Sequence, residues 1–153
     1  MSILGALRKV TGGAADVDIK VENAVRGGKA KVTIDVKVGS AAVKAKRVYV
    51  NLRAQEIVDL PRYNAPSQPG ATGSNTIHVR ADETVFNQEF VIADAQDLAA
   101  GSTAQFTGEI AIPSSALPSL TGQIVRVLWQ ASAGLDVAWS TDPNSGWTDV
   151  TVT

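Results

Sequence analysis

Apolar and polar residues alternate along two neighbouring stretches near the start of the chain. In residues 15–22 (ADVDIKVE) the apolar side chains occupy one face and the charged side chains the other. Residues 29–38 (KAKVTIDVKV) repeat this pattern after the glycine pair Gly27-Gly28. A period of two residues is that of a β-strand with one buried face. The two stretches therefore predict an antiparallel hairpin with one solvated face.

The same alternation predicts six more strands. Their sequences, in chain order, are KRVYVNLRAQEIV, TIHVRAD, TVFNQEFVIA, TAQFTGEIAIP, QIVRVLWQASAGLDV and GWTDVTVT. In the third of these we expect Phe86, Phe90 and Ile92 to face the core rather than Val85 and Val91. Strands that recur this regularly between Gly, Pro and Asn turns indicate an all-β fold, an antiparallel immunoglobulin-like β-sandwich. We expect a single domain over residues 1–153.

Helical patterns are few. Residues 1–12 form an amphipathic segment with an apolar stripe, which predicts a short N-terminal helix packed on the sandwich. Residues 93–101 (ADAQDLAAG) predict one helical turn. The longest interruption between strands, residues 60–75, is rich in proline and glycine and predicts a long projecting loop.

Composition excludes several kinds of chemistry. The chain has no cysteine, so disulfides, thiol catalysis and zinc–thiolate sites are absent. The net charge of −1 argues against nucleic acid as a partner. Residues 1–60 carry a net +5 and residues 61–153 a net −6, so either oppositely charged strands neutralise one another or a basic face binds an acidic partner.

Motifs for catalysis are also missing. His78 is the one histidine and falls among strand residues, and there is no Gly-x-Ser-x-Gly elbow and no phosphate-binding loop. Acidic residues near Asp142 lack the spacing of a calcium loop, and residues 142–146 (DPNSG) predict a type I turn closing a hairpin. We therefore expect no enzyme, no cofactor and no metal. No apolar run is long enough for an integral membrane span and no signal peptide is evident, which indicates a cytoplasmic protein.

Three tryptophans remain. Trp129 alternates with apolar strand residues and is predicted to lie in the core. Trp139 and Trp147 flank the 142–146 turn, where they either pack across the hairpin or form an exposed aromatic pair for a sugar or peptide. The second alternative describes a carbohydrate-binding type of β-sandwich module.

Two stretches, QFTGEIAIPSSALPSL and IVRVLWQASAGLDVAW, resemble the pattern of the arrestin-like superfamily. In that pattern a strand ends in an apolar-Pro pair, a short loop carries a second proline, and a long strand follows with an aromatic, an alanine and Leu-Asp. The corresponding residues are Ile112-Pro113, Leu117-Pro118, Trp129, Ala131 and Leu135-Asp136. The opening LRKVTGGAADVDIKVE is similar to the bacterial sporulation-control proteins of this superfamily.

The resemblance implies an arrestin-type β-sandwich that acts as a non-catalytic scaffold or adaptor for a protein partner. It also implies two tandem sandwiches, and this chain has length for the first. The loop at 60–75 resembles the segment that arrestins project into partners, so Arg62, Tyr63 and Asn64 are candidate contacts; the alternative is a loop without a binding role. The last strand is expected to leave an open edge through which a homodimer forms, and a self-assembling structural subunit is a further alternative.

Overall fold

The computed structural model describes residues 14–65 and 75–153, which form strands and connecting segments and no helix. The expected N-terminal helix at 1–12 lies outside these residues. The strands are β1 Ala15–Glu22, β2 Lys29–Val38, β3 Val43–Ala65, β4 Asn75–Ala93, β5 Gln96–Leu98, β6 Thr103–Ala111, β7 Leu120–Thr121, β8 Val125–Val137 and β9 Thr148–Val150. All pair in an antiparallel sense, which confirms the all-β class.

The first sheet has the order β1-β2-β6. The register of the β1–β2 hairpin places Val17 opposite Val36 and Ile19 opposite Ile34, so the apolar residues share one face. Gly27 adopts the left-handed conformation (φ 75°) in the connecting turn, as expected for a glycine at such a position. The predicted hairpin with one solvated face is confirmed.

The second sheet has the order β4-β3-β8-β7, with β5 beside the start of β3 and β9 beside β8. It packs against the first sheet through a core drawn from both. Trp129, 1% exposed, is the largest fully buried side chain, and the predicted core face of Phe86, Phe90 and Ile92 packs against this core. The other large side chains that are fully buried are Ile34, Leu52, Ile110, Ile112, Leu135, Val32, Val36, Val43, Val48, Val50 and Val152.

Three expectations differ from the structure. The segments TIHVRAD and TVFNQEFVIA are one continuous strand, β4, with a register shift at Val85 instead of a turn. The loop expected at 60–75 is shorter, because residues 60–65 continue β3 and Asn75 begins β4; residues 66–74 lie outside the described part. The helical turn expected at 93–101 is instead the short strand β5, paired with the start of β3.

The end of the C-terminal segment, which was expected to be an open edge, is already hydrogen-bonded. The backbone N–H of Thr153 donates to the carbonyl of Ala24, and its carbonyl accepts the N–H of Arg26, both at 3.0 Å. The carbonyl of Val152 accepts the backbone N–H of Ser119, and the N–H of Val152 donates to the Ser119 hydroxyl, both at 2.8 Å. Because the backbone polar groups of both residues are satisfied, this segment offers little to a second chain.

Candidate interaction surface

Sheet two is longer than sheet one, and one end of it extends past its partner. β3 pairs with β8 as far as Val58, and the backbone N–H of Asp59 still donates to the Ile124 carbonyl at 2.7 Å. Beyond Asp59, β3 pairs with β4 alone. We call residues 59–65 of β3 and 75–80 of β4 the ribbon. A two-stranded ribbon is only marginally stable by itself in water, so its projection from the sandwich is a feature that needs a reason.

A proline-containing bulge interrupts the ribbon. The β3–β4 register is regular up to Leu60 and resumes at Tyr63, which leaves Pro61 and Arg62 outside the ladder. Proline has no N–H to donate, and bulges are among the few places where a sheet accepts it. Arg62 is exposed at this bulge, which keeps its guanidinium accessible. The backbones of Tyr63 and Asn64 pair with those of Ile77 and Thr76.

Charged side chains cross the outer face of the ribbon, the face turned away from the first sheet. The ring Nε2 of His78 is within hydrogen-bonding distance of the Asp59 carboxylate, and Arg80 lies directly opposite Asp59. The hydrogen bond from His78 lowers the pKa of Asp59 below its ordinary value, and the charges of His78, Arg80 and Arg126 lower it further. His78 lies within β4, as expected from its position among strand residues, and its side chain is 56% exposed on the sheet surface.

A solvent-open pocket of about 270 Å³, with both apolar and polar lining, lies beside the point where the first sheet stops. Residues 113–118, which we call the cap loop, form one wall, and Val85 and Phe86 of β4 form the other. Trp129 contributes to the lining, and its indole Nε1–H donates to the Leu117 carbonyl at 2.8 Å. The Phe86 and Trp129 rings lie 5.3 Å apart, tilted at 42°. The Pro-Ser-Ser-Ala-Leu-Pro stretch therefore serves to close the sandwich over Trp129.

Several large apolar side chains are exposed near this end of the molecule. Val85 (43% exposed) and Leu117 (45%) line the pocket, whereas Leu120 (51%) and Ile77 on the ribbon (45%) do not. Scattered exposed apolar residues are ordinary, so the exposure of Val85 and Leu117 matters because both border the pocket. The charged side chains of the ribbon lie on the opposite face of sheet two.

The outer face of sheet two carries a polar network farther from the ribbon. Arg47 bonds Asp136 at 3.0 Å and pairs with Glu89, and these two partners raise the pKa of its guanidinium. The Tyr49 hydroxyl donates to Asp142 at 3.0 Å; burial first, and then this bond, raise the pKa of the Tyr49 phenol to about 12. Each member has a partner, so these side chains hold one another in fixed positions on this face.

The predicted turn at 142–146 is displaced. Asn144 forms a bridge with Gly134, and Ser145 and Pro143 bond the backbone of β8, so this stretch runs along the strand. The chain reverses instead at residues 138–140, where Trp139 adopts a left-handed conformation (φ 63°) and is fully exposed. The prediction that Trp139 packs across a hairpin is therefore wrong.

Trp147 has a different environment from Trp139. The Arg53 guanidinium carbon lies 3.8 Å from the centre of its ring, a cation–π contact that occupies one ring face. From the β8–β9 pairing, Trp147 lies near Ala131, whereas Trp139 lies beyond Val137. About 20 Å of strand separates these positions, so the two rings do not share a flat platform.

The structure does not bring the five predicted contact residues together. Val137 of β8, next to Trp139, pairs with Ala45 of β3, while Arg62 lies on the order of 50 Å farther along that strand. Arg62, Tyr63 and Asn64 lie on the ribbon, and Trp139 lies at the opposite end of the molecule. Sequence reasoning missed the pocket residues Val85 and Leu117, although the two prolines around the cap loop were a usable signal.

Within residues 14–65 and 75–153, no three His, Cys, Asp or Glu side chains cluster in a way that suits a metal ion. Over the same residues, none of the structure is a helix of the length and apolarity that crossing a bilayer requires.

The fold of this chain is similar to that of a known solved structure. Spo0M, the sporulation control protein of Bacillus subtilis, superposes with a TM-score of 0.60 at 19% sequence identity, over 92% of this chain and 49% of that one. The chain has a Spo0M-like fold. It spans about half the length of Spo0M, and at this identity the likeness concerns the fold alone. No protein-family model and no curated protein matches the chain.

Two other solved structures are more distant. A DUF4466 family protein from Parabacteroides merdae gives a TM-score of 0.38 at 10% identity, over 90% of this chain and 43% of that one. A β-glucosidase from Listeria innocua, in complex with gluconolactone, gives 0.34 at 15% identity, over 90% of this chain and 16% of that one. Neither supports an argument about function.

Proposed function

We propose that this chain is a non-catalytic protein-binding adaptor of the sporulation-control type, with an arrestin-type sandwich as its scaffold. One observation carries the proposal: the ribbon extends past the paired part of β8, and a solvent-open pocket lies between the cap loop and β4 at the same end of the molecule. The Spo0M-like fold supports a regulatory rather than a catalytic role. The absence of cysteine from the chain agrees with action in the cytoplasm.

The mechanism is docking at the ribbon end, with no bond made or broken. Arg62, Tyr63 and Asn64 supply the contacts on the projecting ribbon, since Arg and Tyr dominate binding energy at protein interfaces. The pocket between Val85 and Leu117 receives an apolar anchor from the partner. The polar network on the far part of sheet two keeps the scaffold rigid.

A shortened ribbon tests this proposal. Leu60 and Val79 are directly paired, so the intervening residues 61–78 can be replaced by Asn-Gly, the sequence preferred for a two-residue hairpin turn. The matched control is Trp139→Ala at the opposite end of the sheet. Circular dichroism and urea unfolding establish that both variants fold. Binding partners are identified by crosslinking mass spectrometry on the wild type, purified, and measured by calorimetry.

We expect the control to bind as the wild type does and the shortened variant to bind at least about tenfold more weakly. Equal binding by the folded shortened variant would overturn the docking mechanism. Binding of glycans that is lost in Trp139→Ala would also overturn it, in favour of the carbohydrate module. Hydrolysis of a substrate by the purified chain would remove the non-catalytic role.

A further inference from the structure

The outer edge of β4 is a long strand edge without a partner strand. β4 is 19 residues long and terminates the second sheet, and among the described residues no strand pairs with it on the side away from β3. Residues 78–84 of this edge directly precede Val85, which borders the same pocket as Pro113, just past the end of β6. Such an edge presents unpaired N–H and C=O groups that can pair with another chain.

We propose that residues 78–84 of β4 pair in an antiparallel sense with the same residues of a second copy, around a two-fold axis at Ala81. The proposal goes beyond the adaptor function and does not depend on it. It also moves the expected homodimer from the C-terminal edge, where Val152 and Thr153 are already bonded, to the opposite edge of the sheet.

The charges along this edge select the register. Arg80 is opposite Asp59 and Asp82 is opposite Ile57, so both charged residues lie on the outer face. Directly opposed residues in an antiparallel pair share a face, so a two-fold axis must pass through a residue of β4. An axis at Ala81 sets Arg80 of each copy against Asp82 of the other. Axes at Arg80 or Asp82 set like charges against each other.

Within the copy, Arg80 lies opposite Asp59 and its charge lowers the pKa of that carboxylate, but it does not approach within ion-pair distance. In the part of the chain that the structure describes, the ion pairs involve neither Arg80 nor Asp82. Ala81 is exposed and small, which allows two copies to approach closely at the axis. The register shift at Val85 limits the regular pairing to residues 78–84.

Pairing also gives part of the ribbon a further neighbour. Residues 78–80 would lie between β3 and the β4 of the second copy, which adds strands to a two-stranded segment that is marginal by itself, whereas residues 75–77 stay outside the contact. The two-fold axis closes the assembly at two copies, which distinguishes it from an open-ended self-assembling subunit. A contact of this length is small, so we expect association in the micromolar range.

A cysteine crosslink tests the register directly, because the chain has no native cysteine. In Ala81→Cys the two Cα atoms are about 5 Å apart across the axis, which suits a disulfide. The matched control is Thr84→Cys on the same strand, whose copies are about 20 Å apart. Under mild oxidation we expect a disulfide-linked dimer from the first variant and monomer from the second on non-reducing gels. Equal crosslinking of both, or of neither, would overturn the register.

A charge exchange tests the ion pairs in the cysteine-free chain. Sedimentation velocity measures association up to about 100 μM protein. Arg80→Asp and Asp82→Arg each bring like charges together and should raise the dimer dissociation constant at least about tenfold, while the double variant restores it. Lys46→Asp, at the far end of β3, should leave it unchanged. A wild type that stays monomeric, or single variants that associate as it does, would refute the proposal.

Discussion

Gly134 of β8 lies directly beneath the Tyr49 ring, and the replacement Gly134→Ala should destabilise the fold through that ring. A methyl group built at Gly134 would lie 2.5 Å from Cζ and from the hydroxyl oxygen of Tyr49. Ordinary contact between such atoms requires about 3.5–4 Å, so the ring must move by about 1 Å. That movement breaks the bond from the Tyr49 hydroxyl to Asp142.

The magnitude follows from three contributions. Forcing an added methyl into a packed site costs about 1–3 kcal/mol, and the lost hydrogen bond costs about 1 kcal/mol. Replacing glycine within a strand returns about 0.5–1 kcal/mol. We therefore expect Gly134→Ala to lower the free energy of unfolding by about 2 kcal/mol. Urea unfolding followed by tryptophan fluorescence measures this change.

A double-mutant cycle isolates the cause. In a Tyr49→Ala background the ring is gone, so Gly134→Ala should be neutral or stabilising by about 0.5 kcal/mol. In the single variant with the tyrosine present, the phenol pKa should fall from about 12 toward its ordinary value, because burial and the Asp142 bond are both lost. Absorbance titration detects this fall. An equal cost of Gly134→Ala in both backgrounds would refute the reasoning.

Three further variants test other contacts. Tyr49→Phe should reduce the loss of folding stability between about pH 10 and 12. The Tyr49 phenol has a raised pKa in the folded state, so its contribution to the stability of the fold is complete below its unfolded pKa and is lost as the pH rises to about 12. Identical alkaline unfolding curves for the variant and the wild type would contradict this. Trp147→Ala should cost about 0.5–1 kcal/mol in urea unfolding by removing the ring from Arg53, and a neutral effect would count against the contact. Trp129→Phe should cost about 1–2 kcal/mol and speed amide exchange in the cap loop, since the bond to the Leu117 carbonyl is lost; unchanged exchange would show that the bond does not hold the loop.

Alternation along the chain was sufficient to predict the strands that have one buried and one solvated face. The β1–β2 hairpin and the core position of Trp129 follow directly from a period of two. β4 was divided in two because Asp82-Glu83 resembles a turn. That pair is tolerated within a strand because the sheet there extends past its partner and both residues are exposed.

Contacts between distant parts of the chain were not predictable from local pattern. The bond from Tyr49 to Asp142 joins residues 93 positions apart, and the tight approach of Gly134 to that ring leaves no trace in the alternation. The β3 half of the ribbon falls in the predicted loop at 60–75 because Pro61 forbids a regular ladder, whereas most of its β4 half belongs to the predicted strand TIHVRAD. A bulge that omits Pro61 from the pairing reconciles the proline with a strand.

The hydrogen bonds of Thr153 to Ala24 and Arg26 fix where any attached group leaves the fold. They hold the last residue beside the β1–β2 turn, on the same side of the sandwich as the cap loop. A purification tag fused after Thr153 would thus crowd the cap-loop end of the molecule, where we propose that the partner docks, and a fluorescent dye there would respond to partner binding. Immobilisation through that position would hinder partner access, so a surface attachment for binding assays belongs at an engineered site near Trp139.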